Sequence, residues 1–399
     1  MSTVDTIAIE DAHMAPFFSK TPISIARGEG VYVWDEEGRR YTDLTAGWGV
    51  TSIGHAHPAI RKALAEQGAL ILQNPDSGLT YSPARARLLA LLAGLLPDGL
   101  TRVFFTNSGA EANDAAVKLA RKVTGREGVV ATENSFHGRT ISMVSATGQA
   151  KHRARFKPQM PGYSFIPYAD LEALEAALGP DTAAFIVEPV QGEGGVNVPS
   201  KDFLRRAAEL CHANGSLLVV DEVQTGFCRT GPMFATTPTG AGADFLTMAK
   251  GIAGGFPLGA FACTEEVAAR FELGDHGGTY CGNPLGCAVA HAVISHLVEI
   301  DAPARVAGLG AEALAELSAW AERYPGVVSG ARGAGLLLLV VFRDEQTAGA
   351  VAAGCLERGV FVRQTQATGI RIFPALTITR EELFAGLAAV EEAVRAVAG

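Results

Sequence analysis

The chain has 399 residues, of which 48% are hydrophobic and 19% are charged, and its formal net charge is −9. This composition is typical of a globular protein, and the length predicts more than one packed unit. The negative charge argues against nucleic acid or an anionic membrane surface as the main partner, because no run of Lys and Arg is dense enough to override it.

Neither a membrane span nor a secretion signal is predicted. The longest apolar runs, 88–96 and 335–342, are shorter than the roughly 18 residues that a spanning helix needs. The N-terminus carries Asp5, Glu10 and Asp11 and lacks a basic region followed by an apolar stretch. The six cysteines form no C-x-x-C pair, so neither a zinc site nor a disulfide framework is predicted. A cytoplasmic location is therefore expected.

The predicted elements divide the chain into segments 1–54, 55–290 and 291–399. The first contains short extended pieces such as 30–34. The second alternates apolar strands with helices and therefore predicts βαβ units and a largely parallel sheet. Its predicted strands are 103–106, 129–131, 184–187, 217–221 and 245–248, and its predicted helices include 108–124, 171–178 and 202–214.

The third segment begins with a long helical stretch and continues as a smaller α/β unit. Residues 335–342, 360–363 and 370–373 are its predicted strands, and Thr379 with Glu382 forms a capping box that opens the last helix. The first and third segments flank the central one, and we expect them to pack together as a second domain.

In open parallel sheets, ligands bind at the carboxyl ends of the strands. Ser108 follows the first predicted strand and can cap the next helix, with Glu111 as its capping-box partner. Gly109 lets a ligand approach the backbone, and the free N–H groups of the first helical turn suit a phosphate. Taken alone, a plain N-cap explains this pattern better.

Two further strand ends carry ionisable side chains in apolar surroundings. Asp221 ends strand 217–221, where a buried carboxylate needs a partner such as a protonated pyridine nitrogen or an arginine. Lys250 lies between an apolar strand and a glycine-rich turn, where desolvation would lower its pKa and leave a neutral amine for imine formation. Taken singly, a structural acid and a solvated surface lysine are the better explanations.

Their combination is more informative. Pyridoxal 5′-phosphate (PLP) needs an anion cradle, an acid for its ring nitrogen, an imine-forming lysine and a flat partner for its ring, which Phe136 can supply. No G-x-G-x-x-G, P-loop or H-E-x-x-H motif competes. His55 and His57 lack further metal ligands and fit a turn before a helix that begins near Pro58, so no metal site is predicted.

The order of six motifs is typical of one enzyme family. They are TNSGAEAN at 106–113, SFHGRT at 135–140, VEPVQGEGG at 187–195, VVDEVQTG at 219–226, AKG at 249–251 and GTYCGNPL at 278–285. On these motifs the chain resembles the class III (ω-amino-acid) aminotransferases of PLP fold type I, in the acetylornithine/ornithine group, over about residues 25 to 395. The resemblance implies a large PLP-binding α/β domain over 55–290, with a mostly parallel seven-stranded sheet. It also implies a smaller α/β domain built from 1–54 and 291–399.

The resemblance also implies a role for each residue that matches a family motif. Lys250 would be the Schiff-base lysine, and Asp221 would pair with the pyridine nitrogen. The remaining cofactor contacts would be Ser108, Gly109 and Ala110 at the phosphate, Phe136 and Val223 against the ring, and Gln224 near the phenolic oxygen. Thr279 would reach the phosphate of the neighbouring subunit, which implies a homodimer.

The implied reaction transfers the ω-amino group of an N-acetylornithine-like donor to 2-oxoglutarate, giving a semialdehyde and glutamate. Arg139 would hold the distal carboxylate of the donor, and Arg371 would hold the α-carboxylate of glutamate. Glu193 would pair with Arg371 while the ω-amine is bound. Either arginine could instead belong to a structural ion pair.

Two positions depart from the family pattern. Cys228 replaces a common glycine, and Trp48, at the expected substrate entrance, stands where a smaller residue is frequent. Ornithine, putrescine and 4-aminobutyrate therefore stay open as donors, as do an aminomutase or racemase reaction and a non-enzymatic PLP-binding protein. The retention of Lys250, Asp221 and both arginines argues against the last of these.

Overall fold

The computed structural model describes residues 3–399, so the first two residues of the predicted segment 1–54 lie outside the described part of the chain. The strands are β1 (Ile25–Glu29), β2 (Tyr32–Asp35), β3 (Arg40–Asp43), β4 (Leu100–Thr106), β5 (Gly128–Thr132), β6 (Tyr163–Ile166), β7 (Thr182–Val187), β8 (Leu217–Asp221), β9 (Phe245–Met248), β10 (Gly259–Thr264), β11 (Val328–Ala334), β12 (Leu337–Phe342), β13 (Val360–Phe361), β14 (Arg363–Thr365) and β15 (Gly369–Ile372).

The α-helices are α1 (Thr3–His13), α2 (Ala46–Gly49), α3 (Pro58–Gly68), α4 (Pro83–Ala93), α5 (Gly109–Thr124), α6 (Ile141–Ala146), α7 (Ala150–Arg153), α8 (Leu171–Ala177), α9 (Phe203–Asn214), α10 (Glu265–Ala268), α11 (Pro284–Glu299), α12 (Ala302–Arg323), α13 (Glu345–Glu357) and α14 (Arg380–Ala398). No single helix within residues 3–399 is long and apolar enough to cross a membrane; only the bent pair α11 and α12 passes that test, by length and composition.

The largest sheet has seven strands in the order β4-β10-β9-β8-β7-β5-β6. Only β10 runs antiparallel to its neighbours, so the prediction of a mostly parallel seven-stranded sheet is confirmed. The central strands β7 and β8 are buried almost throughout, as expected for continuous apolar runs covered by helices on both faces. Strands β6 and β10 were not predicted from the pattern, because β6 is a short edge strand interrupted by Ser164 and β10 directly follows the glycine-rich turn.

The two smaller sheets have the orders β1-β2-β3-β13 and β11-β12-β15-β14. Strand β13 runs parallel to β3, with Val360 opposite Thr42, so the two ends of the chain share one sheet. The prediction of one strand over 335–342 needs correction, because Gly335 (φ +54°) lies in the turn before β12. The predicted strand 360–363 is likewise divided into β13 and β14 at Val362.

Two predicted helix starts are observed. Helix α3 begins at Pro58 with His57 as its N-cap, while His55 Nε2 lies 2.8 Å from an oxygen of Asp43. Helix α14 begins with the predicted capping box of Thr379 and Glu382. The domain boundaries remain predictions, and α11 crosses the one at 290/291 without interruption.

Candidate active site

A cavity of about 450 Å³ opens at the carboxyl edge of the seven-stranded sheet. The loops after β4, β5, β7, β8 and β9 line it, as predicted from the general position of ligands at the carboxyl ends of parallel strands. The predicted residues in its lining are Ser108, Gly109, Ala110, Phe136, Arg139, Glu193, Asp221, Val223, Gln224 and Lys250. Arg371 reaches it through Glu193, whereas Trp48 and Thr279 lie elsewhere.

Lys250 lies two residues after the last residue of β9 and has a left-handed backbone conformation (φ +39°). Such a conformation is uncommon for a side chain this long and persists only where the surroundings enforce it. Burial lowers the pKa of Lys250, and the nearby carboxylates of Glu193 and Asp221 offset only part of that effect. The site therefore favours the neutral amine of Lys250 more than water does.

Asp221 ends β8 and is held by hydrogen bonds on several sides. Its Oδ2 accepts from Asn113 Nδ2 at 2.7 Å and lies 2.7 Å from His137 Nδ1, while its Oδ1 accepts the Val223 N–H at 3.0 Å. Thr247 Oγ1 in turn donates to Asn113 Oδ1 at 2.6 Å. This network fixes the carboxylate against the cavity.

Asn113 and His137 were missed as functional candidates. Asn113 lies one turn into α5 and not at the end of a strand, so the position of the strands does not predict its role. It is, however, the last residue of the TNSGAEAN motif. His137 follows Phe136 directly, and it is buried. Its Nε2 is buried and has no hydrogen-bond partner among residues 3–399.

The N-terminus of α5 supplies an anion cradle. Ser108 is the N-cap, and its hydroxyl accepts the Glu111 N–H at 3.2 Å. The predicted capping box is wrong in its second half, because the Glu111 carboxylate accepts the N–H of Asn107, at 2.6 Å, instead of that of Ser108. The N–H groups of Gly109 and Ala110 lie in the first helical turn and lack intrahelical acceptors, so they can bind an anion. A Cβ on Gly109 would lie only 2.7 Å from Val223 Cγ1, so only glycine fits there.

Phe136 follows β5 and is anchored by its backbone. Its N–H donates to Oε2 of Glu188 at 3.2 Å, and the Arg139 guanidinium lies 5.6 Å from its ring centre. Glu188, which was not singled out from the sequence, is buried at the end of β7, and burial raises its pKa well above the usual value. The floor of the cavity therefore contains a carboxyl group that stays protonated more readily than Asp or Glu in water.

The predicted partners Glu193 and Arg371 form an ion pair of 2.7 Å between Glu193 Oε1 and an Arg371 nitrogen. Gln224 Nε2 donates to the same oxygen at 3.0 Å. Burial alone would raise the pKa of Glu193, but Arg371 and Lys250 outweigh it and hold the pKa below its usual range. Arg139, by contrast, forms no ion pair with any described residue, and its side chain is exposed.

Trp48 lines an adjoining outer cavity of about 790 Å³ that also touches Phe136, Arg139, Glu193 and Lys250. It therefore lies on the outer side of the cavity that contains Lys250. Thr279 lines a separate cavity with Leu79 and Tyr81, away from Lys250. Cys228, the other departure from the family pattern, is buried beside Met233 and lines neither cavity.

These residues fit PLP. The α5 N-terminus suits its phosphate, and the anchored Asp221 suits a protonated ring nitrogen. Phe136 and Val223 provide apolar surface for a ring close to the amine of Lys250, whose pKa burial lowers. A fold of this type with this residue set is typical of PLP-dependent enzymes.

Comparison with known proteins identifies the family. Residues 14–394 match the family model for aminotransferase class-III, and the chain belongs to the class III aminotransferases, which depend on PLP. It is 43% identical to acetylornithine aminotransferase of Methanothermobacter thermautotrophicus over 387 residues, 97% of each chain. It is 41% identical to succinylornithine transaminase of Citrobacter koseri over 391 residues, 94% of each. The crystal structure of ornithine aminotransferase from Toxoplasma gondii ME49 is similar with a TM-score of 0.94 at 33% identity, covering 100% of this chain and 96% of that one.

Proposed function

We propose that this enzyme transfers the ω-amino group of an N-acylornithine to 2-oxoglutarate, giving a semialdehyde and glutamate, with N-acetylornithine as the expected donor. The observation that carries the proposal is the 2.7 Å ion pair between Glu193 and Arg371 beside Lys250, while Arg139 is left unpaired. The two relatives named for acylated ornithine support this choice of donor.

The ion pair suits a donor whose reacting carbon bears no carboxylate. With Glu193 in contact, Arg371 presents little net charge to the cavity, so a CH₂–NH₂ group can lie there without an unmatched cation beside it. The exposed guanidinium of Arg139 is free to bind the distal carboxylate of the same donor as a bidentate fork.

Glutamate and 2-oxoglutarate bring a carboxylate to the reacting carbon, and Arg371 would bind it once Glu193 moves away. Arg371 belongs to β15, which is hydrogen-bonded on both sides, whereas Glu193 lies in a glycine-rich turn with Gly195 at φ +110°. Glu193 is therefore the partner that moves, and Arg371 stays in position.

When bound, PLP supplies an aldehyde for the amine and a ring that takes up the electrons of the reacting carbon. Lys250 would hold it covalently and, once released, its Nζ would accept the proton of the reacting carbon and return it. Asp221, kept in place by Asn113 and His137, would pair with the ring nitrogen. The other proposed contacts are Ser108, Gly109 and Ala110 to the phosphate, Phe136 and Val223 to the ring, and Gln224 near the phenolic oxygen.

The proposal includes a homodimer in which Thr279 reaches the neighbouring cofactor phosphate. Exposed Leu79 and Tyr81 lie with Thr279 around a cavity of about 780 Å³, beside the edge strand β4. An apolar patch next to an open sheet edge suits a second copy of the chain. Sedimentation equilibrium of the PLP-saturated enzyme should give twice the chain mass. A cytoplasmic location, in keeping with six unpaired cysteines, is also part of the proposal.

A donor panel tests the proposed reaction. Glutamate formation from 2-oxoglutarate is measured with N-acetylornithine, ornithine, putrescine and 4-aminobutyrate, and N-acetylornithine should give the highest kcat/KM. Arg139→Gln should raise the KM for that donor about 10-fold or more, because a charge-assisted carboxylate contact is lost. Arg155→Gln, an exposed neighbour that does not line the cavity, is the control. Product formed without any oxo-acid acceptor would instead indicate an aminomutase or racemase.

A further inference from the structure

A second arginine lies next to Arg371 on the same face of a sheet. Strands β14 and β15 are antiparallel, and Arg363 is directly opposite Arg371. Directly opposite residues project to the same face with their Cβ atoms roughly 5 Å apart. The indole of Trp48 lies against both, 5.3 Å from the guanidinium carbon of Arg371 and 5.5 Å from that of Arg363.

The two arginines differ in burial and in partners. Arg371 is 2% exposed and paired with Glu193, whereas Arg363 is exposed and has no carboxylate within ion-pair distance among residues 3–399. Like charges at opposite positions repel, and the indole face offsets part of that cost. The planar fork of Arg363 is thus held close to the cavity with its hydrogen-bond donors unused.

Arg363 lines the outer cavity of about 790 Å³, which continues inward to Lys250. Besides Lys250, the other cationic side chains in this outer lining are Arg139 and Lys151, which form no ion pair among residues 3–399, and Lys20, which is bound to Glu10 and Asp11. Of its acids, Glu193 is paired with Arg371, which leaves Glu345. The rim therefore carries an excess of positive charge, which favours a ligand with more than one carboxylate.

Trp48 is a fixed platform for this arginine. Its backbone and that of Gly47 are both left-handed, at φ +66° and φ +55°. A non-glycine residue keeps this conformation only where its surroundings enforce it, so the fold sets the direction in which the indole leaves the backbone. Arg363 and Arg371 are held against that one ring.

We propose that Arg363, supported by Trp48, binds a second carboxylate of the donor, located at the end of its acyl group. Beside N-acetylornithine, the enzyme would then accept an ornithine acylated by a dicarboxylic acid, such as N-succinylornithine. Arg139 binds the α-carboxylate, Arg363 binds the acyl carboxylate, and Glu193 keeps Arg371 from capturing either. This inference rests on the proposed N-acylornithine donor.

The test compares two donors that differ in this carboxylate. The kcat/KM for N-succinylornithine divided by that for N-acetylornithine is measured for the PLP-saturated wild type, Arg363→Gln, Arg363→Lys and the control Arg343→Gln. Arg343 is exposed, follows β12 and does not line the cavity. Arg363→Gln should lower the ratio about 10-fold through a higher KM for the succinyl donor, with the acetyl donor changed less than about 2-fold. Arg363→Lys should be intermediate, and added salt should shrink the effect.

Several results would overturn the inference. An unchanged ratio in Arg363→Gln, or equal losses for both donors, would mean that Arg363 does not bind the acyl carboxylate. A matching rise in the KM for 2-oxoglutarate would assign the arginine to the acceptor. If the wild type uses neither acylated donor, the proposed function itself is wrong, whereas use of both donors with an unchanged ratio refutes only the role of Arg363.

Discussion

The active site has a floor and a wall that are built differently. The floor, formed by Ser108, Asn113, His137, Glu188, Asp221 and Lys250, lies at the edge of the seven-stranded sheet, and short hydrogen bonds join the buried side chains of Asn113, His137 and Asp221. The wall, formed by Trp48, Arg363 and Arg371, comes from the turn at 46–49 and the C-terminal sheet. The charge of Arg371, the buried arginine of the wall, is balanced by the carboxylate of Glu193, which lies in a glycine-rich turn.

This difference separates the reaction from the choice of substrate. Proton transfer and stabilisation of the cofactor ring are the same for every amine, so the residues responsible for them can be fixed and buried. Selection between donor and acceptor needs a cation that binds the carboxylate of glutamate and is neutralised when the ω-amine donor is bound. On the proposed function, Arg371 is that cation, and movement of the Glu193 carboxylate neutralises or frees it. Substitutions in the floor should therefore lower activity with all donors alike, whereas substitutions in the wall should change the ratio between donors.

The largest effect is expected for Lys250→Ala. Removal of the amine should lower turnover by about 10³-fold with every donor, because general acid–base catalysis contributes on this scale. Borohydride reduction of the PLP-saturated wild type followed by peptide mass mapping should place the label on Lys250. Lys62→Ala, on the exposed side of α3, serves as the control and should keep both label and activity. A label on any other lysine would refute this assignment.

Asp221→Asn should have the next largest effect. The amide is similar in shape but carries no charge, so it no longer stabilises a cation at the ring nitrogen, and kcat should fall on the order of 100-fold. Because Asp221 belongs to the floor, the loss should be equal for N-acetylornithine and glutamate. Single-turnover rates of both half-reactions measure this, and a change in their ratio would show that the floor also selects substrates.

Arg371→Lys should separate the two substrates. An ammonium cannot replace the bidentate fork, so kcat/KM for glutamate should fall about 10-fold or more, with a much smaller loss for the ω-amine donor. The two half-reactions are measured separately by the absorbance of the bound cofactor. Equal losses for both substrates would contradict the switch between Glu193 and Arg371.

The floor was largely predictable from the sequence because a single rule locates it. Ser108 and Lys250 each follow, and Asp221 ends, a strand that the apolar pattern predicts, and parallel strands bring their carboxyl ends to one edge. The rule does not locate Asn113, because this residue contacts Asp221 from within helix α5 and follows no strand. Glu188 follows β7 but is anchored through the backbone of Phe136, a contact that no motif spacing reveals.

The wall was only partly predictable because it depends on tertiary register. The pattern predicts one strand over 360–363, which would leave Arg363 at a strand end, yet the break at Val362 starts β14 with Arg363 opposite Arg371. A shift of one residue in that pairing would turn Arg363 to the other face. The left-handed conformation of Trp48 is equally invisible in the sequence, since such backbone is usually marked by glycine or asparagine.

The smallest effect concerns stability and distinguishes the buried carboxyl group of Glu188, in the floor, from that of Glu222, which does not line the cavity. Burial raises the pKa of both Glu188 and Glu222. Glu222 accepts hydrogen bonds on both oxygens, including those from Thr225 Oγ1 and the Thr236 N–H. Among the described residues, the carboxyl group of Glu188 accepts only the Phe136 N–H, which the carbonyl of a glutamine can also accept.

Glu188→Gln should therefore stabilise the folded enzyme at higher pH. A raised pKa means that the folded state retains a proton that the unfolded chain releases above about pH 4.5, so the cost of burying Glu188 is absent at low pH and grows as pH rises. The Tm of the PLP-saturated Gln variant should exceed that of the wild type by roughly 2 °C at pH 8 and by less at pH 5. Glu222→Gln should lower the Tm at both pH values, because the NH₂ group of the new glutamine would face hydrogen-bond donors. If Glu188→Gln instead lowers the Tm at pH 8, the carboxyl group of Glu188 stabilises the folded enzyme, and the argument from its burial is wrong.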